Sequence, residues 1–248
     1  MIRNRHSAVA VDPARGYLQI AEALRREIGR LALPVGSRLP SERELAQRLK
    51  VSRPSLREAL VVLELQGEIE IRVGSGIYLR QAAPRQVAAA GASQAVNESV
   101  MGYSPKEVSE MRFFLESGVA AHAARYISRS QLKDLADSLA AMRAALELQR
   151  GPGDRALADA DRSFHLTLAA TADNRLLSQT VSELFDQRYM PIAGSMHRLF
   201  EKQTVWEDAL QEHVDVYHAV ADHDPLQAMA AMQRHLKRAH ARLMTVIG

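Results

Sequence analysis

The chain has 248 residues, no cysteine, 47% hydrophobic but only 5% aromatic residues, and 32 Lys plus Arg against 29 Asp plus Glu for a net charge of +3. This fits a globular protein with apolar surface for one large or two modest cores, and the missing thiol excludes disulfide staples, a cysteine nucleophile and a Cys-ligated zinc. No apolar run of about 18 residues occurs and the N-terminus carries no block long enough for a secretory signal, so no membrane partner is expected and the expected location is the cytoplasm.

Ile20, Leu24, Ile28 and Leu31 recur at helical spacing and predict a first helix over Tyr17 to Leu31, ended by Pro34 and Gly36. Ser41, with Glu44 three residues on, forms a capping box ahead of Leu45 and Leu49 and predicts a short second helix. Ser52 is the next N-cap, with Pro54 in the first turn and Leu56, Leu60 and Leu63 as the buried stripe; Gly67 stops this third helix. From Glu68 to Val73 polar and apolar residues alternate, Gly74-Ser75-Gly76 can turn, and Ile77-Tyr78-Leu79 returns, so a β-hairpin follows. Three helices and a hairpin make a winged helix-turn-helix over residues 1–80. Residues 81–98, rich in Ala, Gln and Ser, read as a linker.

Beyond it every periodic segment is helical. Ser104, Pro105 and Glu107 start a helix with a stripe of Val108, Met111, Leu115, Val119 and His122. Leu132, Leu135, Leu139, Met142 and Leu146 make the next, and Gly151-Pro152-Gly153 breaks the chain. Later stripes are Leu157, Phe164, Leu168; Leu177, Val181, Leu184, Phe185; Leu210, Val214, Tyr217, Val220; and Met229, Met232, Leu236, Leu243. The expected fold is therefore mainly α, an N-terminal winged helix-turn-helix plus an all-α bundle over residues 99–248.

Charge is uneven: residues 1–80 hold 14 Lys/Arg and 9 Asp/Glu, leaving 18 and 20 for the remainder. A basic reading head implies a polyanion, and a helix-turn-helix lays its third helix in the major groove of duplex DNA. At that helix's start stand Ser52, Arg53, Ser55 and Arg57, with Arg43 on the preceding helix; arginine forks suit guanine edges or phosphate, and the hydroxyls suit phosphate. Gly74, at the wing tip, allows close approach to a minor groove.

The stretch LPSERELAQRLKVSRPSLREALVVLELQGEIEIRVGSGIYL resembles the DNA-binding domain of the GntR family of bacterial transcription regulators, carrying its L-P-S-E-R-E-L-A, V-S-R, R-E-A-L and G-x-G elements. The helical remainder resembles the effector-binding, FCD-type domain of the FadR subgroup. Regulators of hexuronate and related sugar-acid catabolism come nearest, through the wing and the block D-x-x-F-H-L followed by T-x-D-N. The resemblance implies a homodimer on operator DNA contacted by Arg43, Arg53 and Arg57, with Pro54 a departure where relatives often carry Thr.

Asp161 and His165 lie four apart on one helix face, and His213 and His235 belong to apolar stripes of later helices, where an unpartnered polar group is costly. One carboxylate and three imidazoles suit Zn²⁺, Ni²⁺ or Mn²⁺ and leave room for an exogenous carboxylate. The resemblance implies the same four residues as one divalent metal site per chain, zinc first. Arg112, on the inward face of its helix, either pairs with Glu116 or binds the carboxylate of a small organic acid effector, and both readings stay open. Arg188 and Asn174 are further effector candidates, Asn174 with a helix cap as its alternative. His6, His122, His197, His218, His223 and His240 are expected to be surface or packing residues. Function thus reads as a DNA-binding regulator, in the repressor sense, sensing a sugar acid or small hydroxy acid through the metal. The alternatives are a metal-dependent enzyme acting on a small carboxylate, for which no H-E-x-x-H or comparable base spacing occurs, and a purely structural metal beside a hydrophobic effector.

Overall fold

A computed structural model describes residues 16–81, 102–148, 155–200 and 203–244. The linker over 82–98, the break at Gly151 to Gly153 and the side chains of Leu243 and His197 lie outside the described residues. The described residues divide into two compact units, one up to Ser104 and one from Pro105 on.

In the first unit α1 spans Tyr17–Leu31, α2 Glu42–Leu49 and α3 Arg53–Leu65, and β1 (Ile69–Arg72) pairs antiparallel with β2 (Gly76–Leu79). Local chemistry sets these boundaries. The capping box at Ser41 is complete, and the Ser52 hydroxyl accepts from the backbone N–H of Ser55 with Pro54 in the first turn. The register pairs Ile69 with Leu79 and Ile71 with Ile77, so all four apolar side chains fall on one face and are buried, as are Leu24, Leu56, Leu60 and Leu63 of α1 and α3. Residues 36–39 extend the sheet edge, because Leu39 N–H donates to Ile77 and Leu79 N–H to Ser37 at 2.8 and 2.9 Å. Glu64 accepts from the Ile71 N–H, and Arg25 forks onto Glu68, which ties the wing to α3 and α1. Chain beyond the hairpin returns to this unit. Tyr17 Oη donates to Gly102 O at 2.7 Å, and Ser104 Oγ lies 2.8 Å from both carboxylate oxygens of the buried Glu58 on α3.

The second unit contains α4 (Pro105–Tyr126), α5 (Arg129–Glu147), α6 (Arg155–Ala170), α7 (Arg175–Asp186), a 3₁₀ turn at Gln187–Tyr189, α8 (Pro191–Phe200), α9 (Gln203–Ala221) and α10 (Pro225–Met244). Helix α10 packs chiefly on α4 and α9, and α5 on α6. Phe164, Leu168, Leu135, Met142, Val181, Val216, Val220 and Met232 fill the core with Ala120, Ala123 and Ala124. Two sequence expectations change. The buried face of α4 runs through Glu116, Val119, Ala120, Ala123 and Ala124, while Met111 is exposed and His122 only half-buried: small alanines let neighbouring helices approach closely there. Helix α8 was not expected, since Ala193, Gly194 and Ser195 dilute its apolar period, yet Ile192 and Met196 are fully buried.

Candidate functional site

The residues expected to meet nucleic acid come first in the chain. Ser52, Arg53 and Arg43 are exposed, and Ser55 is half-buried with its hydroxyl 2.8 Å from that of Ser52. Arg53 is 53% exposed and its Nε donates to Glu42 at 2.7 Å, so its fork is braced yet open to solvent. Gly74 sits at φ +75° with open space where a Cβ would be, as a tight approach requires. Arg57 departs from expectation. Its side chain is 3% exposed and its Nε donates to the other oxygen of the buried Glu42, because it falls beside Leu56 and Leu60 on the inward edge of α3; in this structure it braces α2 against α3 and does not face solvent.

In the second unit, Asp161 and His165 of α6, His213 of α9 and His235 of α10 are all buried, with one ligand atom from each lying within 4.8 Å of the others. His213 Nε2 is 3.0 Å from Asp161 Oδ1 and 3.2 Å from His165 Nε2. The three rings are oriented from behind by acceptors. Nδ1 of His213 donates to Ala209 O at 2.7 Å, Nδ1 of His235 to Glu212 Oε2 at 3.0 Å, and Nδ1 of His165 is in direct contact with Glu116 Oε2. An imidazole whose proton sits on Nδ1 offers a lone pair at Nε2. With their Nδ1 atoms protonated, His165 and His213 would turn Nε2 lone pairs toward each other and toward Asp161, an arrangement that a cation between them satisfies and that, without a cation, a proton on His213 Nε2 shared with Asp161 satisfies. Tetrahedral nitrogen ligands about 2.0–2.1 Å from zinc stand about 3.3 Å apart, so the spacing fits such a cation.

The electrostatics agree. Burial alone would raise the Asp161 carboxyl, but hydrogen bonding and charge from His213, with His165 and Arg112, outweigh it and hold the group well below the usual carboxylate range. Burial also opposes charge on Glu116, which Arg112 and His165 nevertheless lower to about 2; Glu212 is likewise lowered to about 2, chiefly by Arg242 and His235 against burial. Burial, then the neighbouring His213, lowers His235 to about 3, and burial lowers His165. Between pH 3 and its ordinary value of 6.5, His235 is neutral when folded but protonated when unfolded, so acid favours unfolding. The two glutamates, ordinarily at 4.5, act in the same sense below that pH. Metal-free protein is therefore expected to hold its full stability above about pH 6.5 and to lose about 2 kcal/mol between pH 7 and pH 5 through His235. Thermal melts at the two pH values check this, and a melting temperature unchanged between them contradicts it.

A cavity of about 130 Å³ opens onto the cluster, with Asp161 and His235 at its wall together with Arg112, Arg188, Trp206 and Phe185. Arg112 donates from Nε to Glu116 Oε1 at 2.6 Å and lies 4.0 Å over the Phe185 ring, so it pairs with Glu116 and lines the cavity at the same time. Arg188 lies 5.1 Å over Trp206. Asn174 is corrected: it is exposed, accepts from Leu177 N–H as the cap of α7, and is absent from the cavity wall. His240, read as a surface or packing residue, lines the cavity. Glu212 and Arg242 escaped the sequence reading; the one signal available was that Arg242 lies seven residues after His235 and so shares its helix face.

Two family models match the chain: bacterial regulatory proteins of the gntR family over residues 16–79 and the FCD domain over residues 107–238. The Exu regulon transcriptional regulator of Escherichia coli K12 is 31% identical over 91% of this chain and 83% of its own length. The transcriptional regulator LutR of Bacillus subtilis is 32% identical over 82% of this chain and 90% of its own. A solved GntR structure from Streptococcus agalactiae is 25% identical, covering 90% of this chain and 98% of its own, with a TM-score of 0.45. The family models account for both units, the relatives are regulators and not enzymes, and no helix among the described residues is long and apolar enough to cross a membrane. With its winged reading head and helical FCD domain, the chain belongs to the GntR family of DNA-binding transcriptional regulators.

Proposed function

We propose that this regulator works in the cytoplasm as a homodimeric repressor whose FCD domain, residues 99–248, binds one divalent transition metal, zinc first, and releases or shifts operator DNA when a small organic acid joins the metal. The observation that carries this reading is the convergence of three imidazoles and the Asp161 carboxylate, one ligand atom of each within 4.8 Å of the others, at the wall of a cavity lined by arginines. Four protein ligands leave coordination room on metals that accept five or six, and a sugar acid or hydroxy acid supplies a carboxylate for that room and for Arg112. The metal, when bound, supplies Lewis-acid charge. The chain's own residues orient the ligand histidines, exclude bulk water and hold a cation for the acid. On the DNA side, Arg43, Arg53, Ser52, Ser55 and Gly74 carry the contacts, on residues 1–80.

Arg112 tests the reading. Replacement by Lys keeps the charge beside Glu116 but loses the fork, so operator affinity without acid is expected to stay within about two-fold of wild type. The acid response, of about 5- to 150-fold for coupling of ordinary size, is expected to shrink severalfold, and Arg112→Ala to abolish it. Gel shifts with uronates, aldonates and lactate measure both. Full acid sensitivity in Arg112→Ala would make Arg112 a structural partner of Glu116 only.

A further inference from the structure

The cavity contains a second arginine arrangement that repeats the first. Arg112 of α4 donates to Glu116, whose other oxygen contacts His165 Nδ1. Arg242 of α10 places Nη1 and Nη2 on the two oxygens of Glu212 at 2.7 and 2.8 Å, and Glu212 accepts from His235 Nδ1. Both arginines line the cavity. Each metal-facing histidine of these two pairs is thus held by a glutamate that a cavity arginine holds in turn.

Three nitrogens on the wall are buried with no partner: Nη2 of Arg112, Nε of Arg242 and Nδ1 of His240. Buried polar atoms of native proteins nearly always have a partner, so the wall is short of hydrogen-bonding groups at two places, one on α4 and one on α10. The charges point the same way. Arg112, Arg188 and Arg242 are balanced by Asp161, Glu116 and Glu212, and Arg238 reaches Glu212 only from solvent, so the set is neutral when empty and gains two positive charges with a divalent cation. A monocarboxylate would leave one of those charges uncompensated in a half-dry cavity, which is costly.

Building on the acid-sensing reading, we propose that the ligand is a dianionic organic acid, with one terminal carboxylate at the metal centre and Arg112 and the other at Arg242 and His240. Arg242 is then the residue that distinguishes diacids from monoacids.

The test is calorimetric binding to full-length, metal-loaded protein of two matched pairs: galactarate against galactonate, and malate against 3-hydroxybutyrate. In each pair the skeleton is shared and only the second carboxylate differs. The diacid of at least one pair is expected to bind tenfold or more tightly than its monoacid. Arg242→Lys, which keeps a cation beside Glu212, is expected to weaken that diacid about tenfold and the monoacid less than two-fold, both measured on protein loaded to one metal per chain. Equal binding of diacid and monoacid, both lost in Arg112→Ala, overturns the second anchor and leaves the acid-sensing reading intact. Equal weakening of both acids in Arg242→Lys overturns the second anchor too. No binding of any of the four acids overturns the diacid proposal, and no response to uronates, aldonates or lactate overturns the acid-sensing reading beneath it.

Discussion

His213→Ala is expected to lower affinity for a divalent transition metal by more than about 100-fold, because it removes a ligand whose Nε2 lies 3.0 Å from Asp161 and 3.2 Å from the opposing His165 nitrogen. His213 also packs edge-on against Phe164 at 4.9 Å, so the alanine variant leaves a gap as well. Asp161→Asn separates the two effects, since it keeps the volume and removes the charge. Glu212→Gln, acting one shell behind, is expected to cost 10- to 100-fold while leaving one site per chain at saturating metal. Metal analysis of protein purified without chelator, followed by titration of stripped protein, reads all three. Ligand bound only to the folded state at about 100 times its dissociation constant adds about 2.7 kcal/mol, so loss of metal also shows as a lower melting temperature. Wild-type protein purified without chelator and carrying no metal, and taking none up on titration, would remove the site.

The two arginines that share Glu42 are expected to fail in opposite ways. Arg53→Ala removes an exposed fork from the start of α3 and is expected to cost about 1–3 kcal/mol of operator affinity with an unchanged melt. Arg57→Ala strands a buried carboxylate that, among the described residues, keeps its bond to Arg53 alone, and it is expected to destabilise the reading head by about 3 kcal/mol, or roughly 10 °C or more in melting temperature for a domain of this size. Gel shifts paired with thermal melts distinguish them. A wild-type melt for Arg57→Ala combined with lost operator binding would return Arg57 to the DNA.

That pair also shows where sequence reading stops. The caps at Ser41 and Ser52, the hairpin after α3 and the stripe of α5 depend on residues a few positions apart, and each is found where spacing places it. Asp161, His165, His213 and His235 were legible because polar residues inside apolar stripes demand partners, and the structure brings the four together. Arg57 was misplaced because, four residues after Arg53, it lies at the margin between the wet and dry faces of α3, and only its approach to Glu42 of another helix settles which side wins. Glu116 could be seen as a partner of Arg112, but its contact with His165 joins residues 49 positions apart, and the bonds of Glu212 to His235 and Arg242 cross from α9 to α10. Such contacts leave no periodic trace.

The docking of Gly102 and Ser104 onto Tyr17 and Glu58 sets where this molecule can be divided. The hairpin ends at Leu79, yet the compact unit containing the reading head runs to Ser104. A chimaera that grafts these reading helices onto another sensor at residue 80 would discard a hydroxyl that donates to a carboxylate inside α3 and a carbonyl that accepts from a tyrosine inside α1. A junction after Ser104 carries both across intact. The natural seam for exchanging sensors in this chain is therefore the first turn of α4, some two dozen residues beyond the point where the wing ends.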